Sequence, residues 1–198
     1  MNYKCTGNIC SGIVIMTMAA ILFCSSIAQQ SKAQGPASKA PQWEISEWIN
    51  SPGLNIDQLK GKIVVIDFFQ LWCPGCNKFT IPLIARWEKK FADETKAGRI
   101  VFVSIHTVFE GHDYQNPDRL RKYVKRKQIH HPVGIDRHIG GDRVPTTMRR
   151  YKTRGTPEIA VVDKNGFIRF QKFGYFAPEF GEDVILTLLG EAPSGSAY

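Results

Sequence analysis

Cysteine is scarce in this chain once its first 28 residues are set aside. Only Cys73 and Cys76 remain, because Cys5, Cys10 and Cys24 lie in that N-terminal stretch. A single pair excludes the multi-disulfide framework of small secreted domains, which leaves a redox centre as the use of these thiols. A zinc site built from two cysteine pairs is also disfavoured, since no second pair exists to complete it.

The N-terminus lacks both charge and a long apolar run. Lys4 is its only charged residue, and the apolar run from Ile13 to Cys24 is shorter than the roughly 20 residues that a membrane span needs. Ser26-Ile27-Ala28 then supplies the small residues of a cleavage site. Residues 1–28 therefore predict a secretory signal peptide, with an uncleaved membrane anchor as the alternative.

A short linker and one domain follow. Residues 29–41 are small, polar and proline-containing, which predicts a flexible tether. Residues 42–198 are enough for one domain with its own core, and no internal repeat is visible in them.

Positive charge is concentrated in one segment. The chain carries 26 Lys and Arg against 18 Asp and Glu, and residues 107–154 hold 12 and 5 of these. Such a segment favours an acidic partner or an anionic membrane surface, whereas export argues against nucleic acid. Within it, residues 119–127 are interpreted as a solvated helix face, with Leu120, Tyr123 and Val124 directed inward.

The remaining pattern alternates strands with helices. Apolar runs and turn residues predict strands over 63–69, 100–105, 133–136, 159–163 and 167–173, the last two joined by a Lys-Asn-Gly turn. Helices are predicted after Cys76 up to Gly98, near residues 117–128, near 144–151 and over 178–189. This order predicts an α/β fold with a central mixed sheet and helices on both faces.

The two cysteines stand in Trp72-Cys73-Pro74-Gly75-Cys76, directly after the first buried strand. A sulfur at the start of a helix is stabilised as thiolate by free N–H groups and the helix dipole. We therefore expect Cys73 to attack and the more buried Cys76 to resolve. Pro74 suits a first helical turn, where its missing N–H costs nothing.

Asp67 interrupts the apolar strand six residues before Cys73. A carboxyl buried in such a strand has a raised pKa and can exchange protons with the resolving thiol. The sequence therefore predicts that Asp67 accepts the proton of Cys76.

Two segments resemble the thioredoxin superfamily. Phe68–Cys76 is similar to its active-site segment, and Arg154-Gly155-Thr156-Pro157 before a strand, turn and strand is similar to its second signature. The export signal makes the exported TlpA/ResA-type branch the nearest match, over about residues 40–190. The resemblance implies a thioredoxin fold with an inserted segment. This segment comes after the active-site helix and the second strand, and before the cis-proline loop.

The same resemblance implies how substrate is bound. Pro157 is then cis and packs opposite Cys73, the backbone of Thr156 pairs with an extended substrate chain, and Trp72 flanks the disulfide. With Pro74 and Gly75, these residues form the expected substrate-binding set. No cofactor beyond a Cys73–Cys76 disulfide is implied, and no metal.

The sequence also departs from that branch. Phe79 stands where a glutamate is common, and Pro82 follows Cys76 by six residues instead of five. The aspartate at position 67 resembles cytosolic thioredoxin, whereas many exported members carry asparagine there. A role in cytochrome c maturation is therefore not carried over.

Three rival interpretations remain open. Five histidines lie in or beside the basic segment, among them His106, His130 and His131. One rival interpretation is therefore a copper metallochaperone that uses Cys73, Cys76 and a histidine. Against it, copper chaperones of this fold space their cysteines three apart. The pair His130-His131 is interpreted as a solvated loop. A peroxidase is disfavoured because Gln70 stands where a threonine is expected, and a non-catalytic docking module would not need the cysteines.

The sequence thus predicts an exported thiol–disulfide oxidoreductase, periplasmic or tethered to the outer face of the inner membrane. Its expected substrates are protein thiols and disulfides of the cell envelope. The direction favoured is reduction, which requires an upstream membrane electron donor because the compartment is oxidising.

Overall fold

The computed structural model describes residues 38–193. The predicted signal segment and most of the predicted tether lie outside this range. The last residues of that tether are not flexible as predicted, because they join the sheet. Lys39 forms a β-bridge with Phe167, and the buried Ala40 donates its backbone N–H to the Gly166 carbonyl at 2.8 Å.

A six-stranded mixed sheet runs through the centre of the described domain, in the order β1-β4-β3-β2-β5-β6. Strands β2, β3 and β4 are parallel, whereas β1, β5 and β6 pair antiparallel with their neighbours. The strands are β1 Ile45–Ile49, β2 Ile63–Phe69, β3 Ile100–His106, β4 Val133–Asp136, β5 Glu158–Val162 and β6 Ile168–Phe173. Every residue of β2 is buried, as its unbroken apolar run predicts for a central strand.

Helices cover the sheet. They are α1 Ile81–Lys90, α2 Ala92–Lys96, α3 Pro117–Lys127, α4 Thr146–Arg150 and α5 Pro178–Gly190, with a 3₁₀ turn at Ile56–Leu59 and a π-helical turn at Cys76–Thr80. On one face, β2 and β3 pack against α1 and α5 around the fully buried Trp87. On the other face, Phe68 packs against Tyr151 and Trp43 lies in the same cluster. No helix among residues 38–193 is long and apolar enough to span a membrane.

The mixed α/β architecture is the predicted one, with three local differences. Strand β1 was not predicted. Only one of its five residues is exposed, so this edge strand shows no clear alternation of buried and exposed residues. The helix predicted to continue to Gly98 breaks at Phe91, where φ and ψ are −105° and 29°. Phe180 lies at the apolar helical spacing that predicts an inward side chain, yet 54% of it is exposed.

Basic helix α3 follows its predicted pattern. Asn116 caps its N-terminus by accepting the Arg119 backbone N–H at 3.0 Å. Leu120, Tyr123 and Val124 are buried, and most of the basic side chains are exposed. The amphipathic spacing therefore directs the charge outward.

Candidate active site

The dithiol lies where the central strand ends and a helix begins. After Phe69 closes β2, the chain turns and becomes helical at residue 74, so Cys73 directly precedes the helix. Both thiols are free, and the backbone N–H of Cys76 donates to the Cys73 Sγ at 3.2 Å. The predicted strand-to-helix position of the pair is therefore present.

The surroundings separate the two thiols chemically. A hydrogen bond from the Cys76 thiol, helped by backbone N–H groups of Cys76 and Gly75, lowers the pKa of Cys73 to about 6 despite burial. Burial raises the pKa of Cys76 above that of a free thiol, and the hydrogen bond to Cys73 and the charge of Asp67 raise it further. Cys73 is thus the stabilised thiolate, and Cys76 keeps its proton.

Asp67 lies beneath the pair and is completely buried. Burial raises its pKa to about 7; the nearby Thr80 hydroxyl opposes this rise, and a negative Cys73 adds to it. The Thr80 hydroxyl lies near without hydrogen-bond geometry, and neither carboxyl oxygen has a hydrogen-bond partner among the described residues. A carboxyl in this state can take up and release a proton near neutral pH.

The loop before β5 lies opposite the dithiol. The Thr156–Pro157 peptide bond is cis, and the Thr156 carbonyl oxygen lies 3.4 Å from the Cys73 Sγ. A Cβ placed on Gly75 would come within 2.8 Å of the Pro157 Cδ. Gly75 therefore permits the proline ring to pack directly on the active-site turn.

A groove of about 510 Å³ opens beside Cys73. One wall comes from the active-site turn, one from the segment after β3 and one from the Thr156 loop and β6. Its lining residues are Gln70, Trp72, Cys73, Pro74, Phe109, Glu110, Arg154, Gly155, Thr156 and Phe173. The groove thus joins the predicted residues Trp72, Cys73, Pro74 and Thr156, while Gly75 and Pro157 lie just beside it.

Trp72 is half exposed instead of packed into the core. Its Nε1 donates to the Gln70 side chain at 2.8 Å, and its ring stacks on Tyr114 at 6.4 Å. The Arg119 guanidinium lies 4.2 Å from the Tyr114 ring centre. This three-layer stack gives one rim of the groove a rigid aromatic surface.

The site matches a known family. The sequence model of the AhpC/TSA family matches residues 36–171, more than half of the chain. The chain belongs to the AhpC/TSA family. Its fold is the thioredoxin fold that the active-site segment predicts, with the dithiol and the cis-proline loop facing each other.

Two solved structures share this fold and a substantial part of the sequence. A thioredoxin-like superfamily protein is 37% identical with a TM-score of 0.74, over 79% of this chain and 99% of that chain. A thiol-disulfide isomerase from Corynebacterium glutamicum is 33% identical with a TM-score of 0.69, over 77% and 98% of the two chains.

A longer relative is also similar. Protein DipZ of Mycobacterium bovis is 28% identical over 190 residues, which is 93% of this chain and 25% of DipZ. The chain therefore spans about a quarter of the length of this curated relative.

Three residues of this AhpC/TSA-family site were not predicted. Asn77 donates through its side chain to the carbonyls of Leu71 and Cys73 at 2.9 and 3.0 Å, and it accepts from the Tyr123 hydroxyl at 3.0 Å. Gln115 accepts the Leu71 backbone N–H at 2.9 Å. Asn77 directly follows the motif and could have been suspected, but nothing local marks Gln115 or Tyr123.

The structure corrects one interpretation of the histidines. His131 is buried and bonded, so it is not the solvated loop residue that was predicted, whereas His130 is exposed. His106 ends β3 with its ring 3.3 Å from Gln115, and burial lowers its pKa to about 4. Within residues 38–193, no three His, Cys, Asp or Glu side chains are grouped so that they could hold a metal ion.

Proposed function

We propose that this chain is an exported thiol–disulfide oxidoreductase that reduces protein disulfides in the cell envelope. One observation carries the proposal. The Cys73 sulfur borders a groove, beside the carbonyl of Thr156, while Cys76 and the protonatable Asp67 are buried behind it. An attacking thiolate, a resolving thiol and a proton acceptor are thus placed in the order in which disulfide exchange uses them.

The residues divide the reaction between them. The Cys73 thiolate attacks a substrate disulfide, the substrate S–S bond breaks, and one substrate sulfur leaves as a thiolate that is then protonated. Cys76 then transfers its proton to Asp67 and attacks Cys73. This step breaks the mixed disulfide and releases the second substrate thiol. The chain is left with a Cys73–Cys76 disulfide, and the substrate has gained two electrons.

The groove supports a protein substrate. The backbone of Thr156 lies beside Cys73 and can pair with an extended chain, as β-strand addition does elsewhere. Trp72 and Phe173 provide apolar surface on either side, and Arg154 provides charge. The thiol-disulfide isomerase neighbour supports the same substrate class.

One feature supports the reductive direction. The pKa of Cys73, about 6, lies nearer to that of thioredoxin, about 7, than to that of DsbA, about 3.5. A less stabilised thiolate gives a lower reduction potential. The signal-like N-terminus supports export, and a reductant in that compartment needs an upstream membrane electron donor.

A glutathione redox titration of the purified chain tests this proposal. We expect a Cys73–Cys76 potential near −270 mV, about that of thioredoxin, with Cys73→Ser as the inactive control. A potential near −120 mV, about that of DsbA, would reverse the direction of electron flow. A chain that forms no disulfide but binds Cu⁺ through both thiols would instead support the metallochaperone.

A further inference from the structure

A polar relay crosses the domain away from the dithiol. The buried hydroxyl of Ser104, on β3, lies 2.7 Å from Nε2 of His131. The other ring nitrogen, Nδ1, lies 2.9 Å from the Glu88 carboxylate on α1. Because Nδ1 faces a carboxylate, we assign the proton to Nδ1, so Nε2 accepts from Ser104.

This arrangement has the order of a Ser–His–acid triad, but it cannot act as one. Ser104 is 0% exposed in the middle of a central strand, so no substrate reaches its oxygen. The far end of the relay differs, because the Glu88 side chain is 31% exposed. The relay therefore connects the interior to water.

Asp67 stands at the inner end of this relay. In the parallel pairing of β2 and β3, Asp67 is aligned with Ser104. Aligned residues on neighbouring strands point to the same face at a backbone spacing of about 4.8 Å. No hydrogen bond joins Asp67 to Ser104 among the described residues, so a proton would cross between these two neighbouring side chains through one bridging water. Ser104 donates to His131, so its oxygen remains able to accept a hydrogen bond from that water.

Among the described residues, the other polar groups near Asp67 lead to no exposed acid. Thr80 is fully buried. Tyr123 is buried and donates to Asn77, and His106 is buried against Gln115. Cys73 borders the groove and is joined to substrate during the reaction, and Cys76 is buried behind it. Among the described residues around Asp67, Ser104 is the one whose hydrogen bonds continue to a half-buried carboxylate.

We propose that Ser104, His131 and Glu88 conduct the proton between Asp67 and solvent during thiol–disulfide exchange, as positioning and relay residues that never touch substrate. The inference rests on the proposed function. After Asp67 takes the Cys76 proton, it passes a proton through one bridging water to the Ser104 oxygen, while Ser104 passes its own proton to His131 Nε2. His131 releases its Nδ1 proton to Glu88, and Glu88 gives it to water. The opposite half-reaction reverses these transfers and restores the starting tautomer.

Single-turnover oxidation of the reduced full chain by oxidised glutathione separates the steps. Acid quenching and peptide mass spectrometry would measure the mixed disulfide on Cys73 and its conversion to the Cys73–Cys76 disulfide. In Ser104→Ala and His131→Gln we expect resolution to slow by about tenfold with a larger solvent isotope effect in D₂O. Formation of the mixed disulfide should keep its rate, and the reduction potential should not change.

Controls separate a relay from a structural role. Ser104→Thr keeps the hydroxyl and should restore the rate, and His130→Gln alters the exposed neighbour and should have no effect. Because the two residues act in series, the double variant should be no slower than either single variant.

Two results would overturn the relay. One is an unchanged resolution rate in Ser104→Ala, which would mean that protons leave by another route. The other is a shift of the reduction potential in parallel with the rate, which would mean that the cluster only supports the fold. If the parent chain forms no mixed disulfide, the proposed function itself fails, and that outcome is distinct from both.

Discussion

The two thiols of this chain are the same chemical group, so their different tendency to ionise comes from their surroundings. Cys73 receives hydrogen bonds at the start of a helix, whereas Cys76 is enclosed beside Asp67. Ionisation therefore concentrates on one sulfur at neutral pH. The sequence predicts that Cys73 attacks, and these surroundings favour ionisation of that sulfur.

Alkylation should report this difference directly. We expect iodoacetamide to modify Cys73 of the reduced chain with a half-maximal rate near pH 6, because the thiolate is the reacting form. Cys76 should stay unmodified up to pH 9. Peptide mass spectrometry across a pH series measures both. Equal labelling of the two residues, with a common midpoint near the ordinary thiol pKa, would contradict the assignment.

Asp67 should make the reduced chain less stable as pH rises. The pKa of this carboxyl is raised from 3.8 to about 7 by burial, so the folded state binds the extra proton between these values. Its contribution is fully present below pH 4 and is lost as pH rises through 7. Asp67→Asn should therefore raise the free energy of unfolding above pH 7 by roughly 2–4 kcal/mol, measured by urea denaturation.

The control for this experiment is the same comparison at pH 4, where parent and variant should differ little. In the same variant, resolution of the mixed disulfide should slow, because Cys76 loses its proton acceptor. If the variant matches the parent in stability at every pH and in the rate of mixed-disulfide resolution, Asp67 has no part in the mechanism.

At the scale of elements, a proline and a glycine shape the active-site helix. Pro82 has no N–H for the fourth carbonyl before it, and the helix just ahead of it adopts a π-helical turn over Cys76–Thr80. The Ile81 N–H donates to the Cys76 carbonyl five residues back. Pro82 thus coincides with a change of helical register at the start of α1.

Gly75→Ala should damage the contact between the active-site turn and the Thr156–Pro157 loop. The new methyl group would overlap the Pro157 ring, which we expect to cost about 1–3 kcal/mol of unfolding free energy. Gly190→Ala is a matched control, since nothing lies within 4 Å of a Cβ there. Thermal unfolding measures both. An unperturbed Gly75→Ala variant would show that the two loops are not in close contact.

For the whole molecule, charge and fold are largely independent. The basic residues of α3 point outward, and only Arg121 among residues 121–126 forms an ion pair, with Glu47. Surface ion pairs of this kind contribute little to stability. The charge of α3 therefore contributes little to folding, and we expect it to serve solubility and encounter with acidic partners instead.

Neutralising Arg121, Lys122, Lys125 and Arg126 to glutamine tests that separation. We expect the free energy of unfolding to change by less than about 1 kcal/mol, because these side chains are solvated. Reduction of an acidic protein disulfide should slow at low ionic strength and lose part of its salt dependence. Reduction of a small neutral disulfide serves as the internal reference. If the variant keeps the parent's salt dependence of the reduction rate, the basic segment is only a solvated helix face.

Much of the secondary structure could be predicted from local sequence patterns. The apolar run 63–69, the Cys-x-x-Cys turn, the amphipathic α3 and the Lys-Asn-Gly hairpin each depend on residues close together in sequence. Period and turn chemistry are set by neighbours along the chain, so these elements were predicted almost to their ends. Strand β1 escaped because an edge strand that is neither buried nor alternating gives no such signal.

The sequence by itself determined the dithiol after the central strand and the buried carboxyl near it, and it predicts the order in which the two thiols act. Only the tertiary structure decided what surrounds them. Gln115 reaches the active-site turn from 44 residues away, and His131 meets Ser104 across 27 residues. Such contacts depend on how strands and helices pack, which no local pattern encodes. For the same reason, His131 looked like a surface residue in sequence and is a buried link in the fold.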